Sequence, residues 1–201
     1  MFLICLTSAY LKTTDGKNEL DSLLLATSQG DKEVLAKLYT LISTPVYSFA
    51  LSILRNEEEA KDVLQDLFVN LFQLGNAYRS RGNPMAWVLT LTKNLCLMKL
   101  RERKKVLDTP IEDFAFTLAA PEGVSTEDKL LLEACLNTLG EDERRIVVLH
   151  AVAGLKHREI ASILDLALPT VLSKYNRSIK KLQKMLSSLV TVFYLVLGSE
   201  N

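Results

Sequence analysis

Cysteine is scarce in this chain and histidine scarcer: Cys5, Cys96 and Cys135 lie far apart with no CxxC pair, and the only histidines are His150 and His157. This leaves no basis for a disulfide framework or a zinc site. Cys96 and Cys135 fall in apolar helical stretches and read as small buried thiols, which suits a reducing cytoplasm. Paired carboxylates, a nucleophile beside a base, and a Gly-rich phosphate loop are also missing, so an enzyme is the least supported class. No cofactor, metal or small-molecule substrate is expected. No stretch alternates apolar and polar residues convincingly enough to suggest a strand. The start, MFLICLTSAYLK, has no basic residue before its apolar run and makes a poor secretion signal. Near the other end, Met185 to Leu197 is uncharged for 13 residues, short of the ~20 that a membrane-crossing helix needs. Packing of that run on the protein's own core or on a partner is the favoured reading, with membrane-surface contact the alternative.

Net charge is also missing: 24 basic residues balance 24 acidic ones, which taken alone argues against a nucleic-acid binder. The charge is nevertheless segregated. Between Arg79 and Lys105 stand Arg79, Arg81, Lys93, Lys99, Arg101, Arg103, Lys104 and Lys105 against the single acid Glu102. Between Val106 and Thr126 stand Asp108, Glu112, Asp113 and Glu122 with no base. Two basic modules are thus separated by an acidic segment.

What is present is helical periodicity. Leucine-rich stretches cover Asn18 to Gln29, Lys32 to Leu54, Glu57 to Leu74, Pro84 to Lys105, Glu127 to Leu139 and Asp142 to Ala153. Asn83-Pro84 reads as a helix start, Ser125 to Asp128 as a capping box, and Gly140 as a stop. The segment from Val106 to Thr126, with Pro110, Pro121 and Gly123, resists a helical reading and marks a boundary. The expected fold is all-α: two small helical domains, residues 1–105 and 127–201, joined by a flexible acidic linker over 106–126.

Function is most legible between Gly154 and Leu182, which read as two short amphipathic helices joined by a tight turn. The first buries Leu155, Ile160, Ala161, Ile163 and Leu164, with Lys156, His157, Arg158 and Glu159 outside. The second starts at Pro169 or Thr170 and buries Val171, Leu172 on one reading, Tyr175, Ile179 and Leu182. Its charges, Lys174, Arg177, Lys180, Lys181 and Lys184, are all positive. A helix of this kind fits the major groove; the bland alternative is a solvated basic face. On the helix from Glu57, Asp62, Gln65, Asp66 and Asn70 form a polar strip suited to a partner, although spacing alone favours a solvated face. The loop Gly75 to Asn83 carries Arg79 and Arg81 beside Tyr78, a pattern suited to single-stranded nucleic acid. Trp87, on the next helix, is more often core than a stacking platform.

The two halves together resemble the bacterial RNA polymerase sigma factors of the sigma-70 family, in particular the two-domain extracytoplasmic function (ECF) group. The resemblance spans Gly30 to Leu186 and rests on GDKEVLAKLY, EEEAKDVLQDLF, AWVLTLTKNLCLMKLR and LGEDERRIVVLHAVAGLKHREIASIL followed by TVLSKYNRSIKKL. It implies a non-enzymatic factor that directs core RNA polymerase to promoter DNA, with an anti-sigma factor as a further partner. It would contact polymerase through Asp62, Gln65, Asp66 and Asn70. Tyr78, Arg79, Arg81, Trp87, Lys93, Asn94 and Arg101 would engage the minus-ten element. Thr170, Ser173, Lys174, Arg177, Lys180 and Lys181 would engage the minus-thirty-five element. Asp165, Ala167 and Pro169 depart from the family's usual turn, and Leu172 and Met98 replace residues that are usually polar. The competing reading is a two-domain helix-turn-helix regulator that does not bind polymerase; a helical adaptor without DNA binding is a third.

Overall fold

The computed structural model describes residues 10, 13–27, 32–73, 78–80, 82–106 and 136–198, without the side chains of 32, 106, 186 and 188–198. Seven helices follow in order among these residues: α1 (Thr14–Ala26), α2 (Lys32–Leu54), α3 (Glu57–Gln73), α4 (Pro84–Val106), α5 (Glu141–Ala151), α6 (His157–Leu164) and α7 (Leu168–Gly198). Several expectations lie outside the described residues: the linker, most of the helix expected from Glu127, the capping box at Ser125, Cys5, Cys135, Leu74 to Ala77, Arg81, and most side chains of the apolar C-terminal run.

Helix α2 is the centre of the molecule. Val46, Tyr47, Phe49, Ala50 and Leu51 are buried together with Ser48 and Ser52. So continuous a run wraps the whole circumference of a helix with 3.6 residues per turn. It can be buried all round because α1, α3 and α4 pack on it from the first half of the chain and α5 packs on it from the second. The buried Ser52 hydroxyl is satisfied within the helix, its Oγ donating to the Phe49 carbonyl at 2.7 Å. By length and composition α2 could cross a membrane, yet half of its apolar window is buried in the bundle, as befits a core helix.

The helix starts and stops follow local chemistry. Asn83 caps α4, its Oδ1 accepting from the amides of Met85 at 3.1 Å and Ala86 at 3.3 Å, with Pro84 in the first turn. Gly140, expected as a stop before the next helix, stands there: the helical residues 136–137 end ahead of it and it precedes α5 in extended conformation, its amide donating to Glu143 Oε2 at 3.2 Å. Helix α5 ends where Gly154 takes φ +73°, a conformation that glycine adopts without steric cost. This lets the Leu155 amide reach back to the Leu149 carbonyl at 3.1 Å. Arg144 is fully buried and ties down the preceding turn, donating to the carbonyls of Leu136 and Leu139, each at 3.0 Å.

Phe49→Ala is expected to destabilise the chain by about 3–5 kcal/mol through the cavity it opens in fully packed surroundings. Urea titration followed by far-UV circular dichroism would check it; a loss below about 1 kcal/mol would mean that α2 is not the common core.

Candidate nucleic-acid interface

The helix-turn-helix is built from α6 and α7. Helix α6 begins at Lys156, whose amide donates to Glu159 Oε2 at 2.7 Å. It ends at Asp165, which adopts the left-handed conformation with φ +54°. Aspartate is among the few residues other than glycine that tolerate this region, so the turn closes without the glycine usual in the resembling family. The Leu166 amide then returns to the Ala161 carbonyl at 3.0 Å. Helix α7 starts at Leu168, with Val171 donating to the Ala167 carbonyl at 3.1 Å. Thr170 therefore lies within the first turn rather than capping it, and Pro169 sits where its missing N–H has no intrahelical partner.

Val171 is buried, and Tyr175, Ile179 and Leu182 are half-buried beside it. Leu172, one candidate for the buried stripe, is 41% exposed, and the fully buried residue one turn beyond Lys174 is Ser178. The stripe is a little rotated from the expected one, and Ser178 fits it because its hydroxyl donates to the Lys174 carbonyl at 2.8 Å. His157, expected outside the apolar face, is half-buried: its ring stacks on His150 at 4.6 Å and meets Tyr175 edge-on at 4.7 Å. His150 Nδ1–H donates to the Leu155 carbonyl at 2.8 Å. Burial, reinforced by the neighbouring His150, pushes the His157 pKa below its ordinary value.

The basic face of α7 is partly neutralised by α5. Lys174 Nζ donates to Asp142 at 2.9 Å, and Lys181 Nζ to the buried Glu143 at 2.6 Å, with Arg177 at 4.0 Å from Glu143. Burial pushes the Glu143 carboxyl up, but the bonds from Lys181 and the Gly140 amide, with the charges of Lys181 and Arg177, outweigh it and hold its pKa below the usual value. Ser173, Arg177 and Lys180 remain exposed, Thr170 and Lys174 half-buried. Asp142 and Glu143 were not among the expected site residues. Their sequence signal, an acidic first turn, also serves the helix dipole, and that reading hides the second role.

On α3, Asp62, Gln65 and Asp66 are exposed and Asn70 half-buried. Lys99 of α4 reaches across to Asp62 at 3.1 Å and Asp66 at 3.8 Å. One turn away Arg103 pairs with Glu59. Beside this strip lies an apolar groove of about 480 Å³ lined by Leu35, Tyr39, Phe68, Val69 and Phe72. The sequence reading missed it. The available signal was an apolar set on α3 wider than one buried stripe, leaving Val69 and Phe72 more than half exposed.

Tyr78 requires a correction. It was expected in a flexible loop as a stacking platform, but it is 2% exposed, packs 4.7 Å from Trp87, and its hydroxyl bonds Asp21 of α1. A phenol that is buried and hydrogen-bonded in this way has no face to offer a base. Burial, with the bond to Asp21, raises its pKa. Trp87 is half-buried in the same cluster; Asn94, Arg101 and Arg79 are exposed, and Lys93 is half-buried against α6. Met98 stands 53% exposed on the same helix. Cys96 is buried as expected, its thiol pushed up to about 12 by burial.

Residues 38–106 match Sigma-70 region 2, and residues 129–182 match Sigma-70, region 4. The chain belongs to the sigma-70 family. Within it, the sequence is 21% identical over 178 residues to the ECF RNA polymerase sigma factor SigK of Mycobacterium ulcerans, covering 85% of this chain and 95% of that one. It is 30% identical to the ECF sigma factor SigE of Mycolicibacterium smegmatis, covering 71% of this chain and 57% of that one. It is thus a sigma factor of the ECF type. Its fold resembles that of RpoE of Bartonella quintana, solved with the anti-sigma factor NepR (TM-score 0.59, 23% identity, covering 87% and 98%). It also resembles CnrH, solved with the cytosolic domain of CnrY (TM-score 0.57, 18% identity, covering 85% and 98%).

The histidine stack gives this sigma factor a pH-dependent stability. A histidine with a lowered folded pKa binds fewer protons folded than unfolded, so stability falls as pH drops below the ~6.5 of a free imidazole. Glu143 acts in the same direction at lower pH, below about 4.3. His157→Phe keeps the ring stack and is expected to flatten the loss of thermal midpoint between about pH 7.5 and 5.5, the range bracketing that free value. Parallel pH profiles of wild type and variant would indicate that His157 is not the responsible group.

Proposed function

We infer that the chain binds core RNA polymerase and directs it to promoters for transcription initiation, in the cytoplasm and without catalysis of its own. The observation that carries this is the presence of region 2 and region 4, in that order, on one chain whose helices leave a polar strip on α3 and basic faces on α4 and α7. We assign the strip Asp62, Gln65, Asp66 and Asn70 to polymerase, the apolar groove beside it adding surface for the same protein contact. Arg79, Arg81, Lys93, Asn94 and Arg101, with Trp87 at the margin, are assigned to the minus-ten element. Thr170, Ser173, Lys174, Arg177, Lys180 and Lys181 are assigned to the minus-thirty-five element. Residues 1–105 form the first functional unit, 106–126 the linker and 127–201 the second. An anti-sigma factor is a further partner, suited to surfaces that must be covered when the factor is idle.

The ion pairs within these faces bear on affinity. Lys174 and Lys181 must exchange Asp142 and Glu143 for phosphate, so their net gain on binding DNA is smaller than that of a free cation; the exposed Arg177 stands farther from Glu143, at 4.0 Å, and Lys180 is exposed.

Gel filtration with bacterial core polymerase tests the first assignment: the wild type should co-elute and an Asp62, Gln65, Asp66 triple alanine variant should not. Duplex binding without co-elution of the wild type would favour the helix-turn-helix regulator. Arg177→Ala should weaken promoter binding by about 1–3 kcal/mol if it reads a base edge, or lower the salt slope by about one if it meets only phosphate. An unchanged footprint with an unchanged slope would remove Arg177 from the interface.

A further inference from the structure

Helix α7 outruns the helices that support it. It has 31 residues and spans about 46 Å at 1.5 Å per residue. Helices α5 and α6, which pack along it, have 11 and 8 residues, about 17 Å and 12 Å. The core-facing stripe of α7 runs through Val171, Tyr175, Ser178 and Leu182. At the same steps of four and three residues it continues through Met185, Leu189, Val192 and Val196, along the uncharged run that ends at Leu197.

The opposite side of the helix is continuous as well. At about 100° per residue, the positions of Arg177, Lys180, Lys181 and Lys184 fall on one arc with those of Ser187, Ser188, Thr191 and Tyr194. No acid interrupts this arc, because α7 contains none. Beyond Lys184 the apolar positions widen to more than half of the circumference. A seam against a single partner helix needs a narrower stripe flanked by charges, whereas this stretch has a broad apolar face and no charge on any side. A wide apolar face that follows directly on a cationic flank fits a fluid apolar medium with an anionic boundary. The run is 13 residues, about 20 Å as a helix against a hydrocarbon layer of about 30 Å, so it has the length to lie in such a boundary and not to cross it.

We propose that the end of α7, Met185 to Leu197, docks in the surface of an anionic phospholipid bilayer with Arg177, Lys180 and Lys184 toward the headgroups, and that lipid and minus-thirty-five DNA exclude one another on this helix. The exclusion rests on the assignment of α7 to promoter DNA. Lipid and DNA both offer phosphate to the same cations, and one helix face cannot meet both. Lysine and arginine side chains are long enough to reach the headgroups while the apolar face beside them is submerged. A chain held on the membrane is thereby withheld from promoters.

Flotation of the full chain with unilamellar vesicles tests the docking. Vesicles of equal parts phosphatidylcholine and phosphatidylglycerol should carry the wild type upward. Each cation near an anionic surface strengthens binding about fivefold, so phosphatidylcholine alone should carry at least about tenfold less. A Leu189→Ser, Phe193→Ser variant should lose flotation with its urea midpoint unchanged. Lys180→Gln, a change at an exposed position, should lower flotation on the mixed vesicles about fivefold. A wild type that stays in solution with both vesicles would overturn the docking. A lowered midpoint in the double variant would then identify the chain's own core as the occupant, and a concentration-dependent mass by sedimentation equilibrium a second copy. Flotation unaffected by the serines would remove the run from the contact and overturn the docking equally; flotation unaffected by Lys180→Gln would remove the cationic flank. Excess duplex DNA should reduce the floated fraction. Duplex that floats with the protein would overturn the exclusion. Duplex that neither floats nor competes would count against the minus-thirty-five assignment, and flotation would still decide the lipid contact.

Discussion

Everything in this structure depends on burying α2 from all sides. A helix whose middle is buried around its whole circumference has no solvent-facing stripe, so it requires neighbours on every flank, and among the described residues the first half of the chain supplies α1, α3 and α4. The remaining flank is taken by α5. This single requirement draws the helix-turn-helix onto the first module, turns α5 so that its acidic first turn meets the basic helix α7, and brings the turn at Asp165 against Lys93. The hydrophobic term drives the arrangement, and the polar contacts at its edge select one register among several that would bury similar area.

The same constraint shapes the electrostatics of a chain with no net charge. Its cations are concentrated where DNA is expected, yet many are held by local carboxylates: Lys99 by Asp62 and Asp66, Arg103 by Glu59, Lys174 by Asp142, Lys181 by Glu143. Each pair lies at least partly in solvent and contributes little to stability. Their effect is on binding, because a phosphate or a partner must displace a carboxylate before it gains a cation. Such a surface favours partners that deliver several contacts together over weak, non-specific attachment to nucleic acid.

Several parts of the fold were legible locally. The helical periods, the Asn83-Pro84 start and the burial of Cys96 depend on residues within a turn or two of one another, where spacing and capping chemistry act. The helix-turn-helix was legible for the same reason, with small errors in phase: Leu172 proved exposed and Ser178 buried, because a short amphipathic helix tolerates some rotation before its stripe loses contact. Tyr78 was misread because a Gly- and Asn-rich neighbourhood carries no sign of the aspartate on α1 that captures its hydroxyl, more than fifty positions earlier. The apolar groove was missed because Tyr39 and Phe72 are far apart in sequence and become one surface only where α2 and α3 cross.

By itself the sequence determined that this protein is all-helical, that its charge is divided into basic modules and an acidic connector, and that its motifs stand in the order of a sigma factor. These properties follow from period, composition and short-range spacing, which do not depend on how the modules are arranged. Only the tertiary structure decided which cations are already paired, which aromatic rings are core, and that the two modules close on each other. Those outcomes are set by which helix covers the last open flank of α2, and that is a competition among distant apolar faces that no local pattern encodes.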